Sequence, residues 1–239
     1  AETGLQGSRH HAGAARALGL PIVAVLHNDI VGGARGPDGT SDPSRVRVFS
    51  DGPDDGPSRR LARYVQVVGS RYGLLCAEVV PQGDRPGRAG DHQAFSDNGF
   101  AGVRLIEGLE DPTRQHNARD TMDRLDAAYH AAVVKLDLAV VANLALAPPA
   151  PAAAPRLSVS PSRPDAVRVA WSAVADPAVA GYFVAVRGTG EATYRQVVWA
   201  GDGTDFVLPG LSPDESVAVA VASSDDRGHL SPFSPEVVR

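Results

Sequence analysis

The 239-residue sequence predicts an α/β layered domain with a mostly parallel sheet, followed by an all-β sandwich. Three observations carry that prediction. Helix and strand signals alternate up to residue 147, period-two patterns replace them after residue 156, and four prolines fall within residues 147–156. Alternating helices and strands imply helices packed on a parallel sheet, whereas short alternating strands between turn signals imply a sandwich. The prolines fix φ and remove backbone donors, which favours an extended spacer. The expected division is therefore 1–147, a Pro/Ala linker over 148–156, and 157–239.

In the first domain, Gly7 to Leu18 is Ala-rich and predicts a helix ending near Gly19. Pro21 to Leu26 is a continuous apolar run, as expected for a strand buried on both faces. Ser44 to Phe49 reads as a strand with basic outward positions. Ser58 to Tyr72 has helical periodicity, with Leu61, Tyr64, Val65 and Val68 on one face. Ala101 to Ile106 is a second short apolar strand. Asp120 to Leu146 predicts a long helix burying Leu125, Tyr129, Ala132, Val133, Leu136, Val140 and Leu144, with Asp120 as its N-cap and Asp123 in its first turn. Ligands of such sheets collect at the carboxyl ends of the strands. The polar clusters after Leu26 and after Ile106 stand at those positions.

In the second domain, alternation is clear over Val167–Trp171, Tyr182–Val186 and Ser216–Val221. Turn signals at Asp176-Pro177, Gly188–Gly190, Gly201–Gly203, Ser212-Pro213 and Asp226-Arg227-Gly228 separate the strands. Trp199 suits a core or strand-pairing role.

Composition excludes several functions. A net charge of −5 with scattered basic residues argues against a nucleic-acid partner, which needs clustered Lys and Arg. The densest basic cluster, Arg59, Arg60 and Arg63, is expected on a solvated helix face. The single cysteine, Cys76, excludes an internal disulfide framework and a cysteine zinc cage. No run approaches the roughly 18 apolar residues of a membrane span, and no signal-peptide pattern opens the chain. The start at Ala1-Glu2-Thr3-Gly4-Leu5 reads as the inside of a domain, so the N-terminal half of this first domain is an expected partner.

Four clusters in the first domain carry chemistry. They are Glu2 in Glu-Thr-Gly-Leu-Gln-Gly-Ser; His27-Asn28-Asp29-Ile30-Val31-Gly32; Gly90-Asp91-His92-Gln93-Ala94-Phe95; and Glu107 through Arg114-Gln115-His116 to Asp120, Thr121 and Asp123. Each has an ordinary reading alone, as a helix-start acid, an Asx turn or a cap. His10, His11, His130 and His229 are assigned no role.

The ordered series Glu-x-Gly-Leu-x-Gly-Ser, Asn-Asp-Ile-Val-Gly, Gly-Asp-His-x-x-Phe and Arg-Gln-His resembles the bacterial zinc aminopeptidases of peptidase family M28, over roughly residues 1–147. The resemblance implies part of a three-layer α/β catalytic domain in which two zinc ions share a bridging carboxylate. Matched by position, Glu2 and His116 would ligate one zinc and Asp29 the other. Asp91, His92 and Phe95 would lie in a loop beside the site and, with Gln115, would support it or line the substrate pocket. Carboxylate and imidazole are sound zinc ligands that leave a position for water. Two departures stand out. The family's His-x-Asp ligand motif and bridging Asp belong upstream of Glu2, and Ala1 occupies the position of the family's general-base glutamate, where no proton can be accepted.

Trp171, Tyr182 and Leu208-Pro209-Gly210-Leu211-Ser212-Pro213 resemble a fibronectin type III module, although Ser216 stands where that family usually has Tyr. The expected activity of the complete protein is that of a zinc-dependent aminopeptidase acting on peptides, exported, and suited by its Ala, Gly, Arg and Pro usage to a high-GC bacterial genome. The chain as given, an incomplete fragment with Ala1 at the general-base position, is expected to be inactive. The alternative is an inactive homologue that binds peptides or partners through the same cleft.

Overall fold

A computed structural model of the chain describes residues 4–82, 88–160, 163–211 and 215–239. Ala1 and Glu2, and the expected turn at Ser212-Pro213, lie outside the described residues. The chain divides into two compact units, Ala1–Val140 and Val141–Arg239.

The first unit runs α1 (Gln6–Ala17), β1 (Val25–Asn28), β2 (Arg45–Phe49), α2 (Pro57–Arg71), β3 (Cys76–Val80), α3 (Asp91–Asp97), β4 (Gly102–Glu107) and the start of α4 (Ala127–Leu146). Its sheet has the order β1-β4-β2-β3, with β1–β4 and β2–β3 parallel and β2–β4 antiparallel. β4 is paired on both sides and buries all six residues. β1 was expected to be buried on both faces. Instead it is an edge strand whose residues are only partly covered, and Val23 just before it is 64% exposed. Parallel pairing brings the carboxyl ends of β1 and β4 together, so Asp29 and Glu107 emerge at one end of the sheet.

Helix α1 ends at Gly19, whose φ of 64° permits the left-handed turn that a β-carbon would disfavour. Helix α2 starts with Pro57 at its first turn, where the missing N–H costs nothing. Arg59 and Arg63 correct the expectation of a solvated basic face: both are buried. The loop ahead of the helix folds over them, and Arg63 donates to the Asp54 carbonyl at 2.7 Å and to its carboxylate at 2.5 Å.

The long helix begins later than expected. Met122–Arg124 is a single 3-10 turn, and α4 starts at Ala127. Asp126 is the cap, its Oδ1 accepting from Ala128 N and Tyr129 N at 3.0 Å, while Asp123 is taken by Arg114. Leu125 is consequently outside the helix and 44% exposed. Tyr129, Val133, Leu136 and Val140 are buried as the periodicity predicts. Tyr129 donates to Arg45 O at 2.9 Å, and Leu136 would stand 3.1 Å from a β-carbon placed on Gly69 of α2. By length and composition alone α4 could cross a membrane, which the sequence reading did not anticipate. Tyr129, Val133, Leu136 and Val140 make its buried stripe, while Val134, Leu138, Val141 and Leu146 are exposed.

The compact-unit division falls inside α4, ahead of residue 147. Asn143 Oδ1 in its last turns accepts from Leu230 N at 2.8 Å, which ties this stretch to the second unit. That unit comprises β5 (Arg156–Ser160), β6 (Arg163–Ala170), β7 (Gly181–Gly188), β8 (Gln196–Gly201), β9 (Asp205–Pro209), β10 (Val217–Ser224) and β11 (Val237–Val238). They form two antiparallel sheets, β5-β6-β9 and β11-β10-β7-β8, a fibronectin type III-like sandwich. Val169, Trp171, Tyr182, Val184, Leu208 and Val219 fill the space between them, with the Trp171 and Tyr182 rings edge-on at 5.4 Å. Trp199 takes the strand-pairing role, its ring meeting Phe183 at 5.0 Å and crossing Gly181, where a β-carbon would lie 2.2 Å from it.

Candidate metal centre

Asp29 follows β1 directly, and its backbone N–H still bonds to Leu105 O of β4 at 3.0 Å. This fixes the residue at the end of the sheet. Its Oδ2 accepts from Arg104 Nη2 at 2.6 Å and lies 3.6 Å from His27 Nε2. The hydrogen bond with His27, then the positive charge of Arg104, outweighs burial and holds the carboxyl at about 2. Oδ1 makes no hydrogen bond among the described residues and is available to a cation.

A compact layer supports these anchors. Arg104 is 2% exposed on β4. His27 stacks on His92 with centroids 6.0 Å apart, and His92 Nε2 lies 3.2 Å from Asp51 Oδ2. Gly90 sits where the three meet: a β-carbon there would come within 2.9 Å of Arg104, His27 and His92. Asn28 Nδ2 donates to Asp137 Oδ2 of α4 at 2.5 Å, and burial pushes that carboxyl up.

His116 lies in the loop after β4 with φ at 57°, the left-handed region. It and Asp29 line a common cavity of about 370 Å³, together with His27, Arg88, Asp91 and Arg104. A second cavity of about 630 Å³ also touches both and is walled by Ile30, Glu107, Gln115 and Leu125. Glu107 Oε2 accepts from Gly33 N at 2.8 Å; burial, aided by the charge of Glu110, pushes its carboxyl up to about 7.

The structure therefore brings Asp29, His116 and Asp91 to one cavity, and Gln115 to the adjoining one. Asp91 is not in a loop but is the first residue of α3, because Gly90 supplies an extended N-cap and the Asp-His-x-x-Phe spacing places His92 and Phe95 on the buried side. His92 points at Asp51 rather than into the cavity. Phe95 lies in the core between α1 and α3, against Ala12, with its ring on His11 and Phe100. Gln115 donates to Glu110 at 3.1 Å. Sequence reasoning missed Arg104, Asp51 and Glu110. The one available signal was Arg104 itself, a charge in the middle of the central strand, flanked by Val103 and Leu105.

One carboxylate with a spare oxygen and one imidazole on a shared cavity are the right donor types for part of a zinc site. Among the described residues no group of three His, Cys, Asp or Glu donors is gathered. Glu2, the other carboxylate that the resemblance assigns to the metal, lies outside the described residues.

The model of peptidase family M28 matches residues 2–141, all four clusters included. The chain belongs to peptidase family M28. Among curated relatives of this M28 chain, a "probable zinc metalloprotease" of Pyricularia oryzae is 31% identical over 266 residues, covering 97% of this chain and 52% of that protein. One of Pyrenophora tritici-repentis is 27% identical over 261 residues, covering 97% and 59%. The chain thus spans somewhat more than half the length of the curated relatives it matches. Among solved structures, an aminopeptidase from Aneurinibacillus sp. strain AM-1 aligns over 59% of this chain and 30% of that one, at 21% identity and a TM-score of 0.42. Chicken CNTN1 domains FN1–FN3 align over 39% of this chain and 32% of that one, at 22% identity and a TM-score of 0.34.

Proposed function

We propose that the protein is a zinc-dependent aminopeptidase that hydrolyses N-terminal peptide bonds, with two zinc ions in the complete catalytic domain. The observation that supports this most directly is the shared cavity of Asp29 and His116 within an M28 chain. Asp29 and Glu2 are the proposed carboxylate ligands and His116 the imidazole. Zinc held there would supply a water of lowered pKa and would polarise the peptide carbonyl.

The chain's own residues bind and orient. Arg104 and His27 hold Asp29 ionised through its Oδ2. Asp91, at the cavity wall, is held below the usual carboxylate range, chiefly by a hydrogen bond with Ser8, and offers a negative charge to a peptide's ammonium group. The larger cavity has room for a residue's side chain against Ile30 and Leu125, with Gln115 and Glu107 as its polar wall. The sandwich is proposed as an accessory module, and the protein as secreted or periplasmic.

Elemental analysis of the full-length protein tests the reading. About two zinc per chain is expected, lost in an Asp29→Ala, His116→Ala double variant, together with release of N-terminal residues from peptides. A metal-free protein would leave a peptide-binding homologue without catalysis, which Ala1 at the general-base position already favours as the second reading.

A further inference from the structure

Glu110 lies just beyond β4, and its side chain is 9% exposed. Three segments converge on it. Arg47 of β2 donates to Oε1, Arg88 from the chain before α3 stands 2.6 Å from Oε2, and Gln115 Nε2 donates to Oε2 at 3.1 Å. Burial pushes this carboxyl up, but the donors, Arg88 first, outweigh it and hold it at about 2. Arg47 also donates through Nε to Glu107 O at 3.0 Å, so the same guanidinium grips the end of β4.

The loop from Asp111 to Arg124 is bonded to itself. Asp111 Oδ1 accepts from Thr113, Arg114 clamps Asp123, and Asn117 Nδ2 donates to Thr113 O and Gln115 O. These pairs are exposed and local in sequence, and such pairs contribute little rigidity relative to the sheet. Among the described residues, the polar ties of this loop to other elements run through Glu110. His116 nevertheless holds a left-handed backbone, which a residue with a β-carbon keeps only when its surroundings over-determine it.

We infer that Glu110, fixed by Arg47 and Arg88, is a positioning residue that holds Gln115 and so sets the His116 imidazole at the cavity it shares with Asp29. The inference rests on the proposed metal site. It makes zinc affinity depend on a carboxylate that never meets the metal. Outer partners of metal ligands typically change affinity by about 10–100-fold when lost.

The test is zinc affinity of the full-length protein, by chelator competition, for the unaltered chain, Glu110→Gln and Gln115→Leu, beside the melting temperature of each metal-free form. Gln115→Leu leaves the Arg47–Glu110–Arg88 cluster whole, so it remains informative if Glu110→Gln fails to fold. Positioning predicts zinc binding weakened by about 10–100-fold in Gln115→Leu with its metal-free melting temperature unchanged. In Glu110→Gln the same weakening is expected, with cobalt substitution giving an altered visible spectrum. Affinity within about twofold of the unaltered protein in Gln115→Leu would overturn the inference while leaving the metal site standing. An unaltered protein that takes up no zinc overturns the metal site and the inference together.

Discussion

Both units bury charge, and they do so differently. The α/β unit buries Arg59, Arg63, His92, Arg104 and Glu107, with Arg104 and Glu107 on β4 beside the cavities that hold Asp29 and His116. Among the described residues, the sandwich buries the ion pair of Arg187 with Glu236, at 2% and 1% side-chain exposure. That pair is closed. Arg187 donates to both carboxylate oxygens and to the carbonyls of Gly188, Thr189 and Glu191, so each of its three nitrogens is engaged. In the α/β unit the partnering is left open on the cavity side: Asp29 keeps an oxygen, and Glu107 is buried at a cost to its ionised form. A closed buried pair specifies a fold, whereas an open cluster at strand ends leaves chemistry available.

The largest effect that separates the two cases is expected in the sandwich. Glu236→Leu leaves the Arg187 charge in the interior without its carboxylate, a loss of about 3–5 kcal/mol. Adding Arg187→Met should restore most of it. Urea unfolding of both variants checks this; equal losses in the single and double variants would mean that the pair does more than cancel itself.

Glu107 should behave in the opposite sense. Its folded pKa lies above the ordinary value of 4.5, at about 7. The folded form therefore holds a proton that the unfolded chain has released between those limits, so this group's penalty is absent below about pH 4.5 and complete above about pH 7. Glu107→Gln keeps an oxygen for Gly33 N and removes the penalty. It should raise stability by roughly 2–3 kcal/mol at pH 8 and by little at pH 4. A variant that loses stability at pH 8 would place Glu107 among the closed pairs.

The smallest expected effect is at Asp126. Asp126→Ala removes two hydrogen bonds to the first turn of α4 and should cost about 1 kcal/mol. The same change at Asp120 should cost almost nothing. Thermal melts of the two variants, side by side, separate the cap that is used from the one that the sequence suggested.

That pair of aspartates also shows where sequence reading fails. Periodicity found α2, the buried face of α4 and the alternating strands, because burial repeats at intervals that the sequence carries. It placed the cap at Asp120 and not at Asp126, since Asp120 precedes helix-forming residues and nothing local shows that Arg114 takes Asp123 into a separate cross-linked loop. Asp29, Asp91 and His116 were singled out through the resemblance of the ordered motif series, and the fold brings all three to one cavity. Phe95 lies in the core instead, because the same Asp-His-x-x-Phe spacing that suggests a pocket also winds a helix and buries its last position. Glu110 was illegible for a different reason. Its partners stand at 47, 88 and 115, and only the chain's path makes them neighbours.

Gly90 links these residues in another currency, that of inheritance. Three side chains converge on the volume of a single absent methyl group, so their identities cannot drift separately. Alanine at position 90 has to displace His27, His92 and Arg104 together, and with them the anchors of Asp29. A lineage that gives up this glycine is therefore expected to change His27 or Arg104 alongside it, and one that keeps both is expected to keep the glycine.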